Sequence, residues 1–312
     1  MRLKIGVSLF LTITGLSFVA GLFFSCQAKK AISQNDTIKE RNYIPYYLKV
    51  YEADSLYITK NYQRSYAILD SLFQKYEPIN MDVYYEYLTY LELKSMLKVG
   101  VSEKEFASLV AIHGYTLENI HGNDYLSKEK NSSVVETNYE SLRNKYLSGI
   151  DLKLRDSIKK MKVDDQRFRG ANYQQNIDKQ RAIDARHAIK LKAIFENIGY
   201  PGKKIIGNYS VDKVNFVEIT TMLLHTNDEE RLSYFMPKVK EFVESGADTP
   251  WVYGVMYDQY LLYNGKEQFY GTYENELQIS KSEVNKHRRE IGLPNYGYEK
   301  WRTNNNIKNQ II

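Results

Sequence analysis

One cysteine occurs in the 312 residues of this chain, at position 26. A lone thiol there excludes disulfides, cysteine zinc ligation and a cysteine nucleophile from the rest of the chain. Proline is scarce as well, six residues in all, so proline-rich linkers are absent. Charge of one sign is not concentrated. The net +5 is scattered, and the nearest approach to a cluster is Lys286-His287-Arg288-Arg289. Nucleic-acid binding needs clustered Lys and Arg to neutralise phosphates, so no nucleic-acid partner is expected. A mean hydropathy of −0.51, with apolar residues dispersed except at one end, excludes a multi-span membrane protein. Familiar catalytic signatures are missing too. There is no Gly-x-Ser-x-Gly elbow, phosphate-cradling glycine loop or dinucleotide fingerprint. The C-terminal half has no His-x-x-x-His or His-Glu pair, so neither a metal nor a cofactor is expected.

What is abundant is tyrosine, with 28 residues, against a hydrophobic fraction of 43% and a charged fraction of 26%. Those fractions suit a chain that buries a core. Tyrosine packs well between helices with its hydroxyl at the rim, although a tyrosine-rich surface also binds glycans and peptides.

The one long apolar run lies at the N-terminus. Arg2 and Lys4 precede Ile5 to Phe24, a stretch without charge, which is the pattern of an export signal. It ends in Phe23-Phe24-Ser25-Cys26, and a small residue before cysteine resembles the lipobox of bacterial lipoproteins, particularly those of Bacteroidetes type. The resemblance implies a signal peptide over 1–25, lipidation of Cys26 and a polar tether over 26–42. Gln27, not Asp, follows the cysteine, which resembles outer-membrane sorting, and no acidic run follows, which favours a periplasm-facing position. The alternative is an uncleaved helix, since twenty apolar residues can cross a hydrocarbon core of roughly 30 Å.

Residues 43–148 read as a small helical layer. Pro45 opens a helix to about Lys60, and Tyr62, Tyr66, Leu69 and Phe73 recur at the helical period until Glu77-Pro78. This pair resembles one tetratricopeptide-type repeat, with Ala53 and Ser65 at the small positions, Leu69 and Leu72 in the seam and Pro78 closing the unit. Asp82 is the expected cap of the next helix, Ser102 and Glu105 have capping-box spacing, and Gly122–Thr137 reads as a loop. Further on, Leu152 to Asn197 is helical with a break near Gly170-Ala171, and Ser210 is expected to cap a helix through Leu224. Asp228–Val243, a Thr249-Pro250 helix to Tyr263 and a last helix from about Ser282 to Glu290 follow, with Gln268–Tyr273 extended between them. The expected fold is mainly α: a repeat-like N-terminal layer, a helical domain over 149–303 with at most a short β-hairpin, and a polar tail over 304–312.

Within 149–303 an ordered series of residues stands out. It runs Asp165-Gln166 with Arg167 or Arg169, Asp184, Gly199 with Pro201, Gly207, His225, Asp258 and Gln268-Phe269-Tyr270-Gly271-Thr272. Arg288-Arg289 and Gly292-Leu293-Pro294 complete it. This series resembles an uncharacterised bacterial family, domain of unknown function 6624 (DUF6624), over about 140 residues. Leu224 and Gln259 stand where that family often has Gln and Arg. The resemblance implies a shared fold and carries no activity with it.

On their own chemistry, His225 with Asp258 or Asp165 can serve acid–base work, because imidazole titrates near neutrality. Gln268, Tyr270, Thr272 and Arg288 are candidate substrate-binding groups around Gly271, which admits close approach. His113 and His121 lack carboxylate or cysteine neighbours at a metal-ligand spacing. Two functions follow. The first is a membrane-anchored envelope protein that binds or scaffolds a protein, peptide or glycan partner. The alternative is an envelope hydrolase built on His225, whose residues with Asp258, Tyr270 and Arg288 would converge in one cleft.

Overall fold

Two helices joined by a three-residue turn begin the fold, α1 (Ile44–Ile58) and α2 (Tyr62–Lys75). The computed structural model describes residues 42–214, 217–274 and 277–311, with side chains to residue 306. The leader, Cys26 and the tether as far as residue 41 lie outside the described residues. Pro45 sits in the first turn of α1, where its missing N–H is harmless. The small residues at 53 and 65 let the two helices touch, and Ser65 Oγ donates to the Ala53 carbonyl at 2.8 Å. Leu69 and Leu72 are buried in the seam, as expected.

The next elements are α3 (Glu86–Met96), α4 (Glu103–Ala111), α5 (Leu117–His121) and α6 (Ser132–Ser148). Ser102 and Glu105 form the full reciprocal capping box at the start of α4. The chain continues with α7 (Leu152–Asp165), α8 (Ile177–Asn197), α9 (Lys203–Ile206) and α10 (Thr220–Leu224). A continuous helical stretch then comprises α11 (Asp228–Glu230), a π-helical turn over Arg231–Phe235 and α12 (Met236–Glu244). The last three are α13 (Pro250–Tyr263), α14 (Lys281–Glu290) and α15 (Tyr298–Ile311). The fold is mainly α, and no strand occurs among the described residues.

Tyrosine does the packing expected of it. One hydrophobic cluster runs from Tyr43 to Met256, and its aromatic rings meet mostly edge-on or tilted. The hydroxyls then find polar partners across the chain. Tyr47 Oη donates to the carbonyls of Val243 and Asp248, both at 2.8 Å, and Tyr298 Oη donates to Asp54 at 2.7 Å. Arg302 adds a bond to the same Asp54 carboxylate at 2.8 Å. The first helix is thereby held to the last third of the chain.

Four local expectations are corrected, each because a side chain claims backbone groups that regular structure would use. Asp82 caps nothing. The Glu86 carboxylate instead accepts from the amides of Asn80 (2.6 Å) and Met81 (2.8 Å), so the chain folds back and α3 starts at Glu86. Within 122–137 the Asn123 side chain caps Tyr125 and Leu126, and buried Leu126 and Val135 draw in a short 3-10 turn and the start of α6. Among the described residues no continuous helix runs from Ser210 to Leu224: a 3-10 turn covers Tyr209–Val211 and α10 begins at Thr220, while buried Arg155 takes the carbonyls of Ile206, Gly207 and Val214 and the Asp212 carboxylate. Finally, Gln268–Tyr273 is not extended but wrapped around Asp258.

Candidate functional site

Three elements bring the residues of interest together. Asp165 ends α7 and is fully buried. Its position is electrostatically awkward, since the C-terminal end of a helix repels an anion. Compensation comes from α8, from the α7–α8 connection and from the residue that follows α10. Gln166 Nε2 donates to Asp165 Oδ2 at 2.6 Å, and Arg169 Nε donates to the Asp165 carbonyl at 3.0 Å. Gln180 Nε2 bridges that carbonyl (2.8 Å) and Asp184 Oδ1 (2.9 Å), while Arg169 Nη2 pairs with Asp184 at 2.6 Å.

His225 is delivered by α10, a five-residue helix pinned by buried Met222 and Leu223. Its Nδ1 lies 2.8 and 3.0 Å from the two oxygens of Asp165. An ionised carboxylate only accepts, so Nδ1 carries a proton and donates it to Asp165. Burial alone would push the Asp165 carboxyl up, but the His225 hydrogen bond, with the charges of His225 and Arg169, holds it below its usual value. The pair has the geometry of an oriented general base.

The remaining candidates form a second cluster. Asp258, buried in α13, accepts the amides of Phe269 (2.7 Å) and Tyr270 (2.9 Å) on Oδ1. On Oδ2 it accepts the Thr272 amide and hydroxyl, each at 2.8 Å. Four donors occupy the carboxylate, which leaves it the role of a clamp. Gln268 Oε1 accepts the Tyr273 amide at 2.8 Å. Gly271 has φ +61, and a Cβ there would lie 2.9 Å from the Tyr296 ring. Arg288, buried, donates to the carbonyls of Tyr270 and Pro294 and to Glu299. Asp258 and Arg288 both hold this one loop through its backbone. Among the described residues, no hydrogen bond joins His225 to Asp258, Tyr270 or Arg288.

Neither a family model, nor a curated protein, nor a solved structure matches the chain. The described geometry therefore carries the functional argument alone. Within it, the series that reads Asp165, Gln166, Arg169, Asp184, His225 along the chain is one cluster in space, and Asp258 through Pro294 is another.

A third feature escaped sequence reasoning. A cavity of about 520 Å³ opens between the 79–88 segment, the α4–α5 connection and the 203–218 segment. Inside it lie Asn80, His113, Tyr115, Arg155 and Lys203. Val83, Tyr85, Ile112, Tyr209 and Val214, all exposed apolar or aromatic side chains, also line it. Its wall is strained: Asn80, Val83 and Tyr85 have φ of 58, 76 and 46°, and a β-branched residue rarely adopts such a value. Burial, helped by the charges of Lys204 and Lys203, pushes His113 down to about 4, so its ring is neutral at pH 7. Three residues in left-handed backbone within six positions have no periodicity, which is why no pattern in the sequence announces them.

Proposed function

We propose that this chain is a lipid-anchored binding protein of the bacterial cell envelope, a member of DUF6624, acylated on Cys26 and facing the periplasm from the outer membrane. The body it tethers takes a peptide or glycan in the cavity beside Asn80–Tyr85. The observation that carries this function is that cavity. It joins an apolar, tyrosine-bearing lining to a few inward polar groups, the usual composition of a small-ligand site. Backbone strain in its wall, about 1–3 kcal/mol per residue, is the kind stored where a ligand is held. Tyr85 and Tyr209 offer flat faces for sugar or side-chain stacking, and Lys203, within 6.0 Å of the Tyr85 ring, supplies a cation beside one of them. The grouping in space of the residues that carry the family resemblance supports membership. For the anchor the support is the N-terminal sequence itself, the basic start and apolar run that end at Cys26.

Two experiments test this. Metabolic labelling with a fatty-acid probe should mark the chain and fail on Cys26→Ser; an unlabelled wild-type chain defeats the anchor. The full chain in detergent micelles, titrated with peptide-bearing glycan fragments of the cell wall, should show saturable binding that Tyr85→Ala and Tyr209→Ala each weaken at least tenfold. Failure to bind, or binding indifferent to both substitutions, defeats the cavity.

A second function, an envelope hydrolase, is favoured by one observation: the 2.8 Å contact between His225 Nδ1 and buried Asp165. In that case Asp165, which contacts the partly exposed His225 ring, and not Asp258, orients the base. Hydrolysis of an ester or amide substrate panel that disappears in His225→Gln would establish it, and identical panels for wild type and variant would remove it.

A further inference from the structure

The geometry points to a divalent transition-metal site formed by Asp165, Asp184 and His225. One ligand atom from each of the three lies within 4.8 Å of the others. Ligands at about 2.0–2.2 Å from a metal stand up to about 4.3 Å apart, so small side-chain adjustments seat an ion among them. The spacing in sequence, nineteen and forty-one residues, conceals the group; the helix–helix contacts of α7, α8 and α10 assemble it.

Three features make this more than a chance grouping of acids. The first is charge. Two carboxylates, one of them fully buried, face a single guanidinium, that of Arg169. Asp164, next in the chain, is already paired with Arg167. The second is support around the ligands. Gln166 fixes the Asp165 carboxylate while Gln180 and Arg169 fix that of Asp184, the outer hydrogen bonding that orients metal-binding carboxylates. The third is independent. His187, three residues beyond Asp184 on α8, is 3% exposed, and its Nδ1 has no hydrogen-bond partner. One helical turn separates it from Asp184 on α8. Burying an unpaired ring nitrogen beside this cluster is costly unless an ion or its bound water meets it.

An imidazole with two carboxylates suits zinc or manganese better than calcium or magnesium, which prefer oxygen alone. When His225 ligates through Nδ1, the proton now on Nδ1 moves to Nε2. The site does not depend on the cavity function, and a chain without metal affinity leaves that function intact.

The test is calorimetric titration of the EDTA-stripped full chain in detergent with zinc chloride and with manganese chloride. One equivalent should bind to the wild type. Asp184→Asn, whose side chain is only partly buried, and His225→Ala should each weaken binding at least tenfold with the far-ultraviolet circular dichroism unchanged. His121→Ala, which removes the exposed His121–Glu136 pair as a competing site, should leave binding unaltered. Should Asp184→Asn lose its fold, His225→Ala decides. A wild type that binds no metal, affinity indifferent to His225→Ala, or loss of binding in His121→Ala would each overturn the assignment.

Discussion

Replacing Asp248 by asparagine should change how stability depends on pH, in a direction the structure dictates. The carboxyl is 8% exposed, and its Oδ1 accepts the Thr249 amide at 2.7 Å; that bond and the nearby Tyr200 hydroxyl favour the charged form but do not outweigh burial. Burial pushes its pKa from 3.8 up to about 7. Between pH 4 and 7 the unfolded chain has released this proton and the folded chain retains it. Stability is therefore fully present below the unfolded value and is lost as pH rises through the folded one. Three units at about 1.36 kcal/mol each give about 4 kcal/mol. Half-buried His113 acts oppositely. Its pKa falls from 6.5 to about 4, so its contribution is lost as pH falls from 6.5 towards 4, by about 3 kcal/mol. In the wild type the two slopes largely offset each other. Urea unfolding of the whole chain at intervals from pH 4 to 8 separates them. The stability difference between Asp248→Asn and wild type should grow by about 4 kcal/mol from pH 4 to 8. For His113→Phe, which keeps a ring against Tyr87, the difference should grow by about 3 kcal/mol as pH falls over the same range. An Asp248→Asn difference that stays level within about 1 kcal/mol would refute the argument from burial.

Three further outcomes are expected. Tyr47→Phe removes the hydroxyl that links α1 to Val243 and Asp248 and should lower the unfolding free energy by about 1–3 kcal/mol, measured by urea midpoint at constant m-value. Ser102→Ala breaks the capping box of α4 and should lower it by about 1 kcal/mol by the same measure. Asp258→Asn replaces one acceptor oxygen by an NH2 group, which faces either the amides of Phe269 and Tyr270 or that of Thr272, and should cost about 1–3 kcal/mol. Hydrogen exchange should then accelerate at those three amides first, and unchanged exchange there would show that the clamp is not what holds the loop.

Much of the local structure was legible because it depends on near neighbours. The α1–α2 pair, the capping box at Ser102 and Glu105, the break between α7 and α8 and the Pro250 start of α13 all rest on signals within a few residues. The misread segments share the opposite cause. Asp82 looked like a cap because Glu86 could not be known to fold back on Asn80 and Met81. Ser210 looked like a helix start because Arg155, more than fifty residues earlier, could not be seen taking the carbonyls around it. The same holds at the candidate site. His225, Asp165, Asp258 and Arg288 were each noticeable by residue type and place, yet their sorting was not.

Periodicity, caps and composition, which act over one or two helical turns, thus determined in this chain a mainly helical, tyrosine-packed body behind an apolar leader. The tertiary structure alone decided that Asp165 partners His225, that Asp184 and His187 stand beside them, and that Asp258 is spent on holding a loop. It alone opened a cavity beside a strained segment. Those outcomes turn on which distant groups compete for the same carboxylate or carbonyl, and that competition is settled only when the helices have packed.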